Sequence, residues 1–125
     1  MARPLASFLG ALACGSAVGL GAFGAHGLKG VLEPAQLDTW NTAVLYQLVH
    51  GLAMLVAALA PLPQRLGSAV LHCFGWGILC FSGSLYLLAT AGMKFLGPVT
   101  PLGGVLFLVG WILFAAGALR AGRKS

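Results

Sequence analysis

Charged residues are scarce in this chain of 125 residues, in which seven are basic and two are acidic, or 7% of the total. An average soluble domain carries about 25% charged residues, so these nine charges cannot cover the surface of a soluble fold. Disorder is excluded because 59% of the residues are hydrophobic. The 19 glycines follow no three-residue period, which excludes collagen. The composition therefore indicates an integral membrane protein.

The groups that are missing also limit the chemistry. Both acidic residues, Glu33 and Asp38, lie outside the long apolar runs, so the membrane interior lacks the carboxylates that proton pumps and hard-metal sites use. The three cysteines, Cys14, Cys73 and Cys80, show no CxxC spacing, and no disulfide framework is expected. No basic run interleaved with aromatic residues indicates nucleic acid as a partner. We therefore expect no catalytic residue, no cofactor and no metal site.

The nine charges leave four uncharged runs of at least 25 residues each. A transmembrane helix needs about 20 mostly apolar residues, and the runs lack the alternation of barrel strands. The sequence predicts an all-α integral membrane four-helix bundle, a single domain with short loops and helices near residues 5–23, 39–60, 67–91 and 102–119. Asp38 or Thr39 is expected to cap the second helix.

Basic residues predict which way the bundle faces. Lys29 and Lys94 fall in the first and third loops, whereas five basic residues share the other side: Arg3, Arg65, Arg120, Arg123 and Lys124. This bias predicts a plasma (bacterial inner) membrane protein with both termini in the cytoplasm. An alternative is a lipoprotein signal ending at Cys14, but the apolar run continues nine residues beyond it, which favours an uncleaved helix.

Polar side chains recur at helical spacing on the second and third predicted helices. The short, proline-bounded loop between these helices makes them antiparallel neighbours, and lipid offers hydroxyls and amides no partners. We therefore expect the two polar faces to meet, with Tyr46 at the level of Ser82 and Thr42 at the level of Tyr86. This candidate polar seam comprises Thr42, Tyr46, Gln47, His50, Ser82, Ser84 and Tyr86.

Glycines and histidines give two further expectations. Gly103, Gly110 and Gly117 recur every seven residues on one face of the fourth helix, which is typical of close packing between membrane helices. At the outer end of the first helix, His26 with its neighbours Gly24 and Gly27 forms a candidate outer-loop motif. Ionisable groups in membranes are candidate functional residues, although a neutral, hydrogen-bonded imidazole has an ordinary structural role.

Four separated motifs, in order along the chain, resemble those of a known family. They are GAFGAHGLK at residues 21–29, WNTAVLYQLVH at 40–50, FSGSLY at 81–86, and TPLGG at 100–104 followed by Gly110-Trp111. They are similar to the small membrane proteins called domain of unknown function 423, which include the bacterial YgdD-like proteins and eukaryotic transmembrane protein 256. The resemblance covers essentially the whole chain and implies a four-helix membrane protein. It implies no particular activity, substrate or cofactor.

The favoured hypothesis is a small non-enzymatic membrane protein that supports membrane integrity or an associated membrane complex. The lipid bilayer is its expected surroundings, and a second copy or a larger membrane complex its expected protein partner. The alternative is an oligomeric transporter or permeation protein for a small solute, with a path near Tyr46, Gln47 and His50. A membrane-embedded enzyme or redox subunit fits the sequence least, because the membrane interior has no carboxylates.

Overall fold

Each of the four apolar runs folds into a helical span long and apolar enough to cross a membrane. A computed structural model describes residues 3–123. Those residues contain no β-strand, and the predicted all-α four-helix membrane bundle is confirmed. In chain order the elements are α1 (Arg3–His26), α2 (Pro34–Leu59), α3 (Gln64–Ile78), a π-helical segment (Leu79–Gly83), α4 (Ser84–Ala91), a 3₁₀ turn (Lys94–Leu96) and α5 (Val99–Arg123).

The helices extend beyond most of the predicted bounds, and the largest difference is at the start of α2. Glu33 has the extended backbone of an N-cap residue, and its backbone N–H donates to the Gln36 side chain at 2.9 Å. Pro34 follows at the first helical position, where its missing N–H costs nothing. The expected cap at Asp38 or Thr39 is therefore wrong, since the Thr39 hydroxyl lies inside α2 and donates to the Ala35 carbonyl.

The third span is one membrane-length unit made from α3, the π-helical segment and α4. A π-helical segment places an extra residue in a turn and changes the direction of the side chains around it. Ser82, which lies in this segment, is fully buried, and its hydroxyl donates to the Ala43 carbonyl of α2 at 2.7 Å. The π-helical segment is thus a point of attachment between the two central spans.

Packing places α2 and the third span at the centre of the bundle. Helix α1 packs almost wholly on α2, and α5 packs mainly on the third span. Along α5, a Cβ at Gly103 would overlap the Phe81 backbone, one at Gly110 would lie 2.6 Å from the Phe74 ring, and one at Gly117 would lie 3.0 Å from Leu62. The predicted packing role of these three glycines is confirmed.

Candidate functional site

Gln47 joins three of the four spans from the middle of α2. It is 6% exposed, and its amide nitrogen donates to the Ala13 carbonyl at 2.9 Å and to the Ser16 hydroxyl at 2.7 Å, both on α1. Its amide oxygen accepts a hydrogen bond from the Tyr86 hydroxyl of α4 at 2.7 Å. We call Gln47, Ser16 and Tyr86 the polar network. It links α1 and α4 through α2.

His50, one turn further along α2, lies in a separate set of aromatic contacts. Its ring stacks on Phe107 of α5 with centroids 3.6 Å apart, and Trp111 donates its indole N–H to Nε2 at 3.1 Å. Indole nitrogen is only a donor, so Nε2 must accept. The proton therefore sits on Nδ1, which donates to the Tyr46 carbonyl at 2.8 Å. The imidazole is held neutral in one tautomer.

The structure brings some of the seam residues together but not in the predicted pairs. Ser82 bonds to the Ala43 carbonyl and not to Tyr46, and Tyr86 bonds to Gln47 and not to Thr42. A helical side chain points toward the N-terminus of its own helix. The Tyr86 side chain therefore reaches back toward the middle of the third span. Gln47 lies at this level on the antiparallel α2.

Three residues of the candidate seam have other surroundings. Thr42 is exposed and donates to the Asp38 carbonyl of its own helix at 3.0 Å. Tyr46 is 39% exposed, and its ring packs on Phe81 with centroids 4.6 Å apart. Ser84 is buried and shares a 2.5 Å hydrogen bond with the Thr100 hydroxyl of α5. The polar residues therefore form several small interhelical contacts and not one continuous strip.

The outer-loop motif is a packing feature at the end of α1. A Cβ at Gly24 would lie 2.7 Å from the Trp40 indole, whose N–H donates to the Leu20 carbonyl. A Cβ at Gly27 would lie 2.6 Å from the Phe23 ring. His26 lies between them and is exposed. Gly24 lets α1 approach Trp40 closely, Gly27 leaves room for the Phe23 ring, and His26 does not join the seam residues.

A groove of about 570 Å³ opens between α1 and the third span, with α2 as its floor. Apolar side chains dominate its lining, and the whole polar network of Ser16, Gln47 and Tyr86 faces into it. His72 and Trp76 of α3 line it as well, and the Trp76 indole donates to Nδ1 of His72 at 3.3 Å. The groove brings several of the polar side chains to one open surface.

Sequence reasoning missed Ser16, Thr100 and Trp111, each of which bonds to a seam residue. A serine within the otherwise apolar first run was the available signal for Ser16. Trp111 stood in a quoted motif, but its indole N–H was not matched to His50. Among residues 3–123, no group of three or more His, Cys, Asp or Glu side chains is placed to hold a metal ion.

Residues 20–104 match a family model described as Protein of unknown function (DUF423). The chain belongs to this family. The resemblance of its motifs is thereby confirmed, and the matched range of the DUF423 chain contains Gln47, His50 and Tyr86. Ser16 and Trp111 lie outside that range.

Curated relatives of the DUF423 chain are membrane proteins of bacteria. A UPF0382 membrane protein of Staphylococcus aureus is 47% identical over 84% of this chain and 87% of its own length. One of Staphylococcus epidermidis is 45% identical over 90% and 93%, and YwdK of Bacillus subtilis is 44% identical over 90% and 94%. No solved structure matches the chain.

Proposed function

We propose that this chain is a non-enzymatic packing component of the bacterial plasma membrane that supports membrane integrity or an associated membrane complex. The observation that carries the proposal is the pairing of its interior. Within residues 3–123, every buried side-chain nitrogen and oxygen has a hydrogen-bond partner. Each buried polar group thus has at least one partner inside the chain without any ligand, and such interhelical hydrogen bonds hold the helices in one arrangement.

The exterior supports the same proposal. Large apolar side chains cover the outside of every span, as with Phe8 at 61%, Val56 at 57% and Ile112 at 67% exposure. On spans that cross a membrane, such surfaces face lipid or another membrane helix. A second copy of the chain or a larger membrane complex is the partner that this surface fits.

Transport, the alternative hypothesis, requires a polar path along Tyr46, Gln47 and His50. Gln47 faces α1 and α4, whereas His50 is enclosed by Phe74, Phe107 and Trp111. The two polar groups of such a path thus face different neighbouring elements, and aromatic rings surround the His50 imidazole. This arrangement favours the packing role over transport by one chain.

Charge placement supports cytoplasmic termini. Arg3 lies beside Leu62 and Gln64 of the middle loop and α3, so the start of α1 and the middle loop are at one end of the bundle. Gly117 of α5 contacts Leu62 at the same end. This topology places Arg65, near the start of α3, and Arg120 and Arg123, in the last turn of α5, at the same end. Lys124, the fifth basic residue on this side, lies outside the described residues.

The test is purification in mild detergent combined with a permeability assay in cells that lack the chain. The proposal expects either a defined oligomer or a membrane partner in constant ratio. It also expects that cells lacking the chain take up more of an impermeant dye. Expression of the wild-type chain is expected to return this uptake to its normal level. Small-solute flux into proteoliposomes above that of protein-free vesicles, lost with His50→Ala and kept with the exposed control His26→Ala, would contradict it.

A further inference from the structure

The polar network offers the groove hydrogen-bond acceptors but no free donor. The two amide hydrogens of Gln47 go to Ala13 and Ser16, the Ser16 hydroxyl hydrogen goes to the Ala13 carbonyl at 3.1 Å, and the Tyr86 hydrogen goes to Gln47. Every hydrogen of the network is therefore used internally. The lone pairs that remain, on the Gln47 amide oxygen and the two hydroxyl oxygens, can only accept.

This pattern selects the chemistry of an occupant. Lipid acyl chains have no polar group in the membrane interior, and their ester carbonyls are acceptors that cannot bond to the network. A neutral molecule with a hydroxyl hydrogen can donate to it. In the bilayer core neither water nor lipid offers the hydroxyl another acceptor, so the hydrogen bond to the network favours binding of the alcohol in the groove.

The shape of the groove agrees with a long, thin apolar body. Along the third span, His72 and Tyr86 are fourteen residues apart, which corresponds to about 21 Å at the helical rise of 1.5 Å per residue. A volume of about 570 Å³ is within the range of small-molecule pockets, roughly 300–1,000 Å³. Trp76 provides a flat apolar wall, 58% exposed, near the His72 end.

We propose that the groove between α1 and the third span binds a lipid-soluble alcohol, whose hydroxyl donates to the polar network while its apolar chain lies along α3. The proposal is independent of the packing role, since a packing protein can have an occupied or an empty groove. It assigns the polar network a ligand-binding function in addition to its function in joining α1, α2 and α4.

The experiment compares two probes with the same hexadecyl chain, in one of which a methyl group replaces the donor hydrogen. Hexadecan-1-ol and hexadecyl methyl ether are titrated into phosphatidylcholine nanodiscs that contain the whole chain, and the midpoint of thermal unfolding is followed. A ligand that binds the folded state raises this midpoint with concentration. The alcohol is expected to bind about three- to tenfold more tightly than the ether, the effect of one hydrogen bond of ordinary strength.

Two glycine variants separate the groove from the rest of the surface. Gly83 lines the groove, and a Cβ there meets no atom within 4 Å, so the Gly83→Leu side chain is expected to occupy the groove. Gly15, which is equally open, is not among the lining residues, and Gly15→Leu is the matched control. The shift caused by the alcohol is expected to disappear in Gly83→Leu and to remain in Gly15→Leu. Equal shifts from alcohol and ether, or an unchanged shift in Gly83→Leu, would overturn the proposal.

Discussion

Among single residues, Gln47 has the largest structural role for its size. One side chain satisfies groups on α1 and α4 from α2, and its own amide is paired on both sides. In a membrane the unfolded reference also finds partners, so each such hydrogen bond contributes on average about 0.6 kcal/mol, and at most about 1.7. The network therefore stabilises the helix arrangement modestly but makes it specific.

A double-mutant cycle tests the pairing. Gln47→Leu and Tyr86→Phe are expected to be coupled by about 0.6–1.7 kcal/mol in free energy of unfolding, because they share one hydrogen bond. Tyr46→Phe and Ser82→Ala are expected to be additive, because Ser82 bonds to the Ala43 carbonyl. Denaturation in mixed micelles measures both cycles. Coupling in the second cycle with additivity in the first would show that the pairs first expected from the sequence are correct.

His50 gives a second prediction at this scale. His50→Ala removes a ring that contacts Phe107 and leaves the Trp111 indole N–H without its acceptor. The cavity left by the ring and the unpaired indole N–H are together expected to lower the free energy of unfolding by about 2–4 kcal/mol. The matched control is His72→Ala, an exposed position at which the change is expected to stay within about 0.5 kcal/mol. Thermal unfolding in detergent compares the two, and similar losses would contradict a structural role for His50.

Between elements, the closeness of helices depends on which glycines face a neighbour. Gly110→Ala would place a methyl group 2.6 Å from the Phe74 ring and 3.1 Å from Cys73 Cβ. Overpacking of this kind costs about 1–3 kcal/mol. Gly19→Ala on α1 meets nothing within 4 Å and is expected to be neutral or to stabilise the helix by up to about 1 kcal/mol. Thermal unfolding of the two variants measures the difference, and an equal effect would show that α3 and α5 are not in close contact.

The elements also show what the sequence could and could not predict. The four spans followed from charge-free runs, because lipid forces every backbone amide into an internal hydrogen bond. The start of α2 was misplaced because Pro34 and Gln36, outside the apolar run, build the N-cap with Glu33. The π-helical segment at Leu79–Gly83 left no periodicity signal, yet it sets the direction of Ser82. The pairing of Gln47 with Tyr86 depended on side-chain length and direction, which spacing alone does not give.

Orientation in the membrane is a property of the whole molecule, and the basic residues predict it. In a variant without native cysteines, single cysteines are placed at Val31, which is 72% exposed in the first loop, and at Arg65 near the start of α3. An impermeant maleimide is expected to label Val31→Cys in intact cells and Arg65→Cys only after permeabilisation, because arginines and lysines are retained in the cytoplasm. Ser125→Cys, beyond the described residues, should behave like Arg65→Cys. Labelling of Arg65→Cys but not Val31→Cys in intact cells would reverse the orientation, and the polar network would keep its place since it lies mid-span.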